Sequence, residues 1–312
     1  MTLAAITLKQ LRTLLSVAEH RSLTAAAAAL NQTTPAIHSQ IRKLEGLVGR
    51  PLLCRESDGA GYVLTPSGEA MARAARQIDA NLSHAADDLR SVSSGFQGHV
   101  RLSTVSTTQY FAPLLVRMLR DALPEIEVGL HVGNRREVIA ELEQGRADLA
   151  VMGRPPRVPL VWSEPLGAHP HGILLPPGHR LAGQDGFDPV ELLEETFVVR
   201  EDGSGTRALM MRYLDRLREG ASPAMIELSS NESIKQAVIA GLGIAFLSLH
   251  TARDDLTSGR LVLLRGPGLP VMRQWYLVCP TGTTPTAACD QVASAIIGFS
   301  GAYFPRLDGI SG

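Results

Sequence analysis

Residues Ser22 to Glu45, SLTAAAAALNQTTPAIHSQIRKLE, decide how the rest of the chain is read. Thr24 to Leu30 is almost wholly alanine, the residue with the highest helix propensity and too small to hold a neighbouring helix away. Asn31, Gln32 and Thr33 interrupt it. Thr33 or Thr34 can then cap a second helix through a hydroxyl, and Pro35 suits a first helical turn, where its missing N–H costs nothing. In that second helix Ile37, Ile41, Leu44 and Val48 recur at i, i+4, i+7 and i+11, a buried stripe, with Pro35, His38, Ser39, Arg42 and Lys43 on the other side. Together with Thr33 and Thr34 at the helix start, these side chains can donate to base edges or phosphates in a DNA major groove, which admits one helix. A small solvated hairpin shares this spacing, so the flanking sequence has to separate the two readings.

The flanks favour a DNA reader. Leu52, Leu53 and Arg55, the Gly/Asp-rich turn Asp58 to Gly61, and Tyr62, Val63 and Leu64 predict a short two-stranded ribbon, after which Thr65 and Pro66 open another helix. A ribbon in this place is a wing, and Arg55 gives it a cation. From Met1 to Thr65 seven Lys and Arg stand against four Asp and Glu, a balance of plus three, whereas the full 312-residue chain sums to minus one. Positive charge is thus concentrated in the region predicted to touch phosphate, as counterion release requires.

From Pro66 to Val92 one long helical pattern places Met71, Ala75, Ile78, Leu82, Ala85, Leu89 and Val92 at spacings of 4, 3, 4, 3, 4 and 3. A period of 3.5 favours a partner helix wound alongside, and the economical partner is a second copy of the chain. A helix lying against its own domain is the alternative. Two readers one helical turn apart would suit a two-fold DNA site. Ser91 to Gly98, SVSSGFQG, is small, polar and glycine-bearing, a domain boundary.

Beyond it, strands are predicted near Val100–Thr104, Val128–Val132, Leu149–Met152, Ile173–Leu175, Phe197–Val199, Met225–Leu228 and Ile244–Leu247. Helices are predicted near Ala112–Ala122, Glu137–Gln144, Thr206–Arg218 and Ser233–Ala240. This alternation predicts an α/β architecture with a parallel sheet, in one or two lobes. Ligands of open α/β sheets bind at the carboxyl ends of strands, beside helix N-termini that favour anions. Several such loops are present: Ser106 to Thr108; Gly133, Asn134 and Arg135; Met152, Gly153 and Arg154; REDGSGTR from Arg200 to Arg207; and Ser229, Ser230 and Asn231. Arginines converging with helix N-termini suit phosphate or carboxylate.

With these residues in view, the whole chain resembles the LysR-type transcriptional regulators. YFAPLL from Tyr110, GNRREV from Gly133, DLAVMGRPPR from Asp148, SEPLGAHPH from Ser163, REDGSGTR from Arg200 and SNESIKQAVIAGLGIAFLSLHT from Ser230 resemble the branch of carbon-fixation (Calvin-cycle, RuBisCO) operon regulators called CbbR-type. The resemblance implies an all-α winged helix-turn-helix over residues 1–65, a linker and dimerisation helix over 66–93, and a two-lobed α/β effector domain related to periplasmic binding proteins over 98–312. Lobe I would take about 98–167 and 268–304, lobe II about 168–267. It also implies DNA contact through Thr33, Thr34, Pro35, His38, Ser39, Arg42, Lys43 and Arg55. The effector would be a phosphorylated metabolite or nucleotide between the lobes, on Ser106, Thr107, Asn134, Arg135, Arg154, Arg200, Thr206, Arg207 and Asn231. No cofactor is implied; the partners are promoter DNA, a second copy in a dimer or dimer of dimers, and RNA polymerase. The reader departs from the family pattern at Thr34, where glutamine is usual, at His38-Ser39, where a Ser-Arg pair is common, and at Leu53-Cys54, where Phe-Glu is usual. Regulation of an amino-acid or nitrogen operon, or an enzyme on the same bilobed fold, are the alternative readings.

Other chemistries find little footing. Cys54, Cys279 and Cys289 are too few and too scattered for a zinc cluster, and a redox switch is a minor reading. His169, His171 and His179 flank a short strand on which alternate residues share a face, but no carboxylate pair or CxxC accompanies them to make a metal site. GSGTR lacks the Gly-Lys-Ser/Thr ending of a phosphate-binding Walker loop, and no Ser/His/Asp order is defensible. The N-terminus has charges inside its amphipathic pattern and no cleavage site, and no run of 18 apolar residues occurs, so the expected location is the bacterial cytoplasm.

Overall fold

The computed structural model describes residues 3–56, 61–184, 187–218, 220, 223–282 and 285–307. They fall into two compact units, Met1–Asp87 and Asp88–Gly312.

In the first unit, helix α1 (Leu8–His20) starts at a Thr7/Gln10 capping box, and α2 (Leu23–Ala29) is capped by Ser22. Asn31 turns the chain with φ +51°. Helix α3 (Thr34–Val48) is capped by Thr33, whose hydroxyl accepts the Ala36 N–H at 3.4 Å, so Thr33 rather than Thr34 is the cap. The predicted stripe Ile37, Ile41, Leu44 and Val48 is fully turned inward, against Leu11, Leu14, Val17, Ala26 and Ala27. Each buried aliphatic side chain contributes roughly 1.5–3 kcal/mol, so this small core rests on a few residues. Strands β1 (Leu53–Arg55) and β2 (Tyr62–Leu64) pair antiparallel as the predicted wing. The wing tip from Asp58 to Ala60 lies outside the described residues.

Helix α4 (Pro66–Ser93) follows. Its first turn crosses so close to the wing that a Cβ on Gly68 would stand 1.9 Å from the Leu52 carbonyl oxygen. The seam predicted along α4 is divided. Met71 and Ala75 pack into the core of their own unit, because the close crossing at Gly68 brings the start of α4 onto it. Ile78, Leu82 and Leu89 are 40%, 43% and 71% exposed in the single chain, and Ala85 is exposed too. The side chain of Val92 lies outside what is described.

The second unit has two lobes. One holds β3 (Gly98–Val105), β4 (Ile126–Gly133) and β5 (Leu149–Met152) with helices α5 (Ala112–Ala122) and α6 (Arg135–Glu143). The other holds β7 (Phe197–Arg200), β8 (Met225–Leu228), β9 (Ala245–Ser248) and β10 (Val262–Leu264), with α7 (Gly205–Leu217), α8 (Asn231–Ile239) and α9 (Leu249–Thr257). Strands β6 (Val161–Leu175) and β11 (Val271–Pro280) cross between them, and α10 (Ala287–Gly298) returns to the first lobe. Each lobe has its own core, one around Phe111, Leu115, Leu149 and Trp275, the other around Ile173, Phe197, Leu214 and Phe246.

The wholly parallel sheet is corrected. β3 pairs parallel with β4 and β5, and β7 with β8, but β6 and β11 pair antiparallel with each other, as do β11 with β5 and β6 with β9 and β10. A chain that leaves one lobe along β6 and returns along β11 runs the two crossings in opposite directions. The prediction for β6 also began too late, at Ile173, because the first part of the strand, VWSEPLGAHP, carries prolines and a glycine and reads as loop.

Candidate functional site

The predicted reader residues Pro35, His38, Ser39, Arg42 and Lys43 on α3 and Thr33 at its cap are exposed, with Thr34 half-buried at the helix start. The one carboxylate of the helix, Glu45, is withdrawn from this face: its Oε1 accepts the Leu52 N–H at 2.9 Å and so holds the wing. The outer face of α3 is left polar and cationic, beginning at a helix N-terminus whose dipole also favours phosphate. On the wing Arg55 is exposed, its guanidinium 5.7 Å from the centre of the Tyr62 ring.

Between the two lobes lies an open cleft. Six of the nine effector candidates line it: Ser106, Thr107, Asn134, Arg135, Arg154 and Thr206. Two helices from opposite lobes point their N-termini into it. Helix α6 starts at Asn134, whose side chain accepts the Glu137 N–H at 3.0 Å, and α7 starts at Ser204, whose hydroxyl caps Arg207 N–H. Four guanidinium groups, Arg135, Arg154, Arg212 and Arg273, share the cleft, and no carboxylate is among its lining residues. Arg135 donates to the backbone carbonyl of Arg154, not to an acid. Burial and then the charges of Arg154 and Arg212 push Arg135 below its ordinary range; burial and then Arg154, Arg273 and Arg216 do the same to Arg212. Crowded cations without counter-charge are relieved by a bound anion.

Arg200, Arg207 and Asn231 stand elsewhere. Arg200 is 3% exposed and its donors are used internally, on Glu201 Oε2 at 2.7 Å, Asn231 Oδ1 at 2.7 Å and Ser106 Oγ at 2.9 Å. Asn231, itself buried, accepts that bond through Oδ1, while its Nδ2 has no hydrogen-bond partner among the described residues. Arg207 turns to Glu227 and to the Arg200 carbonyl oxygen. The loop reading of REDGSGTR placed its backbone well, since Ser204, Gly205 and Thr206 reach the cleft, but its arginines pair with acids, Arg200 with the adjacent Glu201 and Arg207 with Glu227.

Arg212, Arg273, His169 and His171 line the cleft without having been predicted as effector contacts. Arg212 follows Ala208 and Leu209 on the α7 face that continues from Thr206, a helical spacing legible in principle. Arg273 lies on β11 opposite His169 on β6, a register only the folded sheet supplies. His169 and His171 do share a strand face, as alternation requires, but His179 leaves them to pair with Glu195 at 3.2 Å. Their companion is His250, 6.0 Å from His169. No group of three His, Cys, Asp or Glu able to hold a metal occurs among the described residues. Cys279 and Cys289 line one pocket, and the neighbouring thiols push Cys279 down and Cys289 up. No described helix is long and apolar enough to cross a membrane.

Sequence comparison agrees with both units. Residues 8–69 match the family described as bacterial regulatory helix-turn-helix protein, lysR family, and residues 93–298 match the LysR substrate binding domain. A protein of Cereibacter sphaeroides named HTH-type transcriptional regulator CbbR is 52% identical over 303 residues, which are 97% of this chain and 98% of the relative. A RuBisCO operon transcriptional regulator of Allochromatium vinosum is 38% identical over 277 residues, 89% of this chain and 91% of its own length. Among solved structures, the regulatory domain of Synechocystis PCC6803 CcmR in complex with 2-PG superposes with a TM-score of 0.61 at 30% identity, covering 65% of this chain and 98% of that one. Full-length CbnR complexed with its target DNA superposes with a TM-score of 0.60 over 96% of this chain and 100% of its own; at 19% identity the likeness is one of fold.

Proposed function

Because the chain belongs to the LysR family of bacterial helix-turn-helix transcriptional regulators, we propose that it controls a carbon-fixation (RuBisCO) operon in response to a small phosphorylated metabolite bound between the lobes of its C-terminal unit. The regulon follows the two relatives named for it, and the 2-PG in the CcmR complex is an effector of the expected charge. The observation that carries the effector class is the cleft itself: four guanidinium groups and two helix N-termini, with no carboxylate among the lining residues. Such an anion touches α6 of one lobe and α7 of the other, so it binds one lobe arrangement better than another, and that difference in affinity is what shifts the state of the regulator.

The DNA site is read by α3 and the wing of two copies, joined through the exposed Ile78, Leu82 and Leu89 of α4. The protein works in the cytoplasm, where the promoter is, as a dimer or a dimer of dimers in contact with RNA polymerase. The test is a footprint of the full chain on the promoter of the carbon-fixation operon, with and without phosphoglycolate at constant ionic strength. A two-fold protected site whose pattern or bend changes with the ligand supports the reading. Protection confined to an amino-acid or nitrogen promoter moves the regulon, and a pattern indifferent to every phosphorylated ligand but changed by a neutral one overturns the effector class.

A further inference from the structure

The most buried side chains that line the cleft are His169 and His171, each 4% exposed, and of the two His169 is the one without partners. Its ring lies flat on the Trp275 indole, centroids 3.6 Å apart and planes 11° from parallel, which leaves the edge of the imidazole as its only free chemistry. Neither Nδ1 nor Nε2 has a hydrogen-bond partner among the described residues. The neighbouring histidines differ: His171 donates from Nδ1 to the His169 carbonyl at 3.1 Å, and His250 Nδ1 accepts the Trp275 N–H at 3.1 Å. Two buried, unmade hydrogen bonds on one ring are costly in a folded protein, and a group that ends a ligand pocket is where such a cost is usefully kept.

A second observation concerns the space beside that ring. Gly153, at the end of β5, also lines the cleft, and a Cβ there would stand 3.0 Å from His169 Nδ1 and 3.2 Å from its Cε1. The glycine lets the end of β5 lie close against that imidazole edge, where any side chain would press on the ring. Burial, with His171, His250 and Arg273 as cationic or potentially cationic neighbours, holds the ring well below the usual histidine range and therefore neutral. A neutral imidazole offers one N–H and one lone pair, which a hydroxyl answers with both its roles and a carbonyl with one.

We propose that His169 is the specificity-determining residue of this cleft, and that one of its two unpartnered ring nitrogens hydrogen-bonds an uncharged hydroxyl or carbonyl group of the effector while the arginines hold the anionic end. The inference rests on the anion cleft described above and narrows its ligand class, from anions in general to anions that carry such a group a few bonds away. Specificity follows because a site built to hydrogen-bond a group rejects the analogue that lacks it, leaving its own buried polar atoms unpaired.

Three probes of the same anionic headgroup separate the two layers: inorganic phosphate, propyl phosphate, which has no hydroxyl, and glycerol 3-phosphate, which has two. Affinities are measured on the full chain by calorimetry, and in a Trp162→Phe background, where Trp275 is the sole tryptophan, by its emission. The wild type is expected to bind glycerol 3-phosphate about tenfold more tightly than propyl phosphate, the worth of one hydrogen bond to a buried neutral group. His169→Phe keeps the stack and removes both nitrogens. It should fold at least as stably, keep its affinity for propyl phosphate within twofold, and lose the tenfold preference together with the Trp275 response. Gly153→Ala should erase the same preference by pressing its Cβ against the ring edge. Equal affinities for the two esters in the wild type, or an undiminished preference in His169→Phe, overturns the proposal while leaving the anion cleft in place. Failure of all three probes to bind takes down the anion reading itself and this inference with it.

Discussion

The Arg200 guanidinium donates to Ser106 Oγ at 2.9 Å, a hydrogen bond that ties the end of β7 in one lobe to the loop after β3 in the other. The same guanidinium holds Glu201 and Asn231, so one buried side chain joins three strand-to-helix loops. Removing it strands a carboxylate and an amide that were matched to it. Arg200→Ala is therefore expected to lower the stability of the C-terminal unit by about 3 kcal/mol, the cost of breaking a buried pair from one side. Chemical unfolding of the full chain in the Trp162→Phe background, followed by Trp275 emission, reads this directly; an unchanged midpoint would show that the tie contributes nothing.

The cleft arginines and the surface arginines should separate cleanly in binding. Arg154 faces the cleft, whereas Arg207 is taken up by Glu227 and the Arg200 carbonyl oxygen. A charged hydrogen bond to an anion is worth about 1.5–3 kcal/mol, so Arg154→Ala should weaken phosphate-ester binding by roughly 10- to 100-fold. Arg207→Ala should stay within twofold. Equal losses in the two variants would mean that the anion sits on the α7 side and away from Arg154.

That contrast shows what was legible in the sequence. Local signals carried far: the four-residue stripe of α3, the Thr33 cap, the wing and the loop-to-helix starts at Asn134 and Ser204 are each set by neighbours within a turn or two. The misplacements are mostly long-range, although the Glu201 that engages Arg200 is its immediate neighbour. Glu227 lies 20 residues from the Arg207 it neutralises, and Arg200 meets Ser106 across 94 residues. Nor does periodicity reveal that Met71 and Ala75 are taken by the core of their own unit, because the heptad continues unbroken through them. Arg273 and His169 become neighbours only through the antiparallel pairing of β11 with β6, the crossing that a parallel-sheet reading omits.

Acid should weaken the C-terminal unit through its buried imidazoles. Burial pushes His171 down to about 3 and His250 down to about 4, and His169 is lowered as well, mainly by burial. Unfolded, these rings titrate near pH 6.5, so below that value the unfolded chain binds more protons than the folded one and stability falls with pH. At pH 5 the loss is about 2 kcal/mol per imidazole. Asp148, whose carboxyl burial raises, works in the opposite sense, one group against three. The unfolding midpoint in urea should drop between pH 7.5 and pH 5, and drop less in His169→Phe. A midpoint independent of pH over that range would contradict the assignment of neutral, buried rings.

On DNA the decisive side chain is Arg42, exposed on α3 beside Lys43 and beyond reach of Glu45, which is engaged with the wing backbone. If Arg42 meets a phosphate, Arg42→Ala should weaken binding to specific and random duplexes by a similar factor and reduce the slope of log affinity against log salt by about one. If it meets a base edge, the variant should instead lose about 1–3 kcal/mol on the specific site alone, with the salt slope unchanged. Its place in the second half of α3 favours phosphate, because in helix-turn-helix readers the base contacts come from the start of the recognition helix. There Thr33, Thr34, Pro35, His38 and Ser39 stand. Fluorescence anisotropy at several salt concentrations distinguishes the two outcomes, and binding indifferent to both the substitution and the salt would remove α3 from the groove altogether.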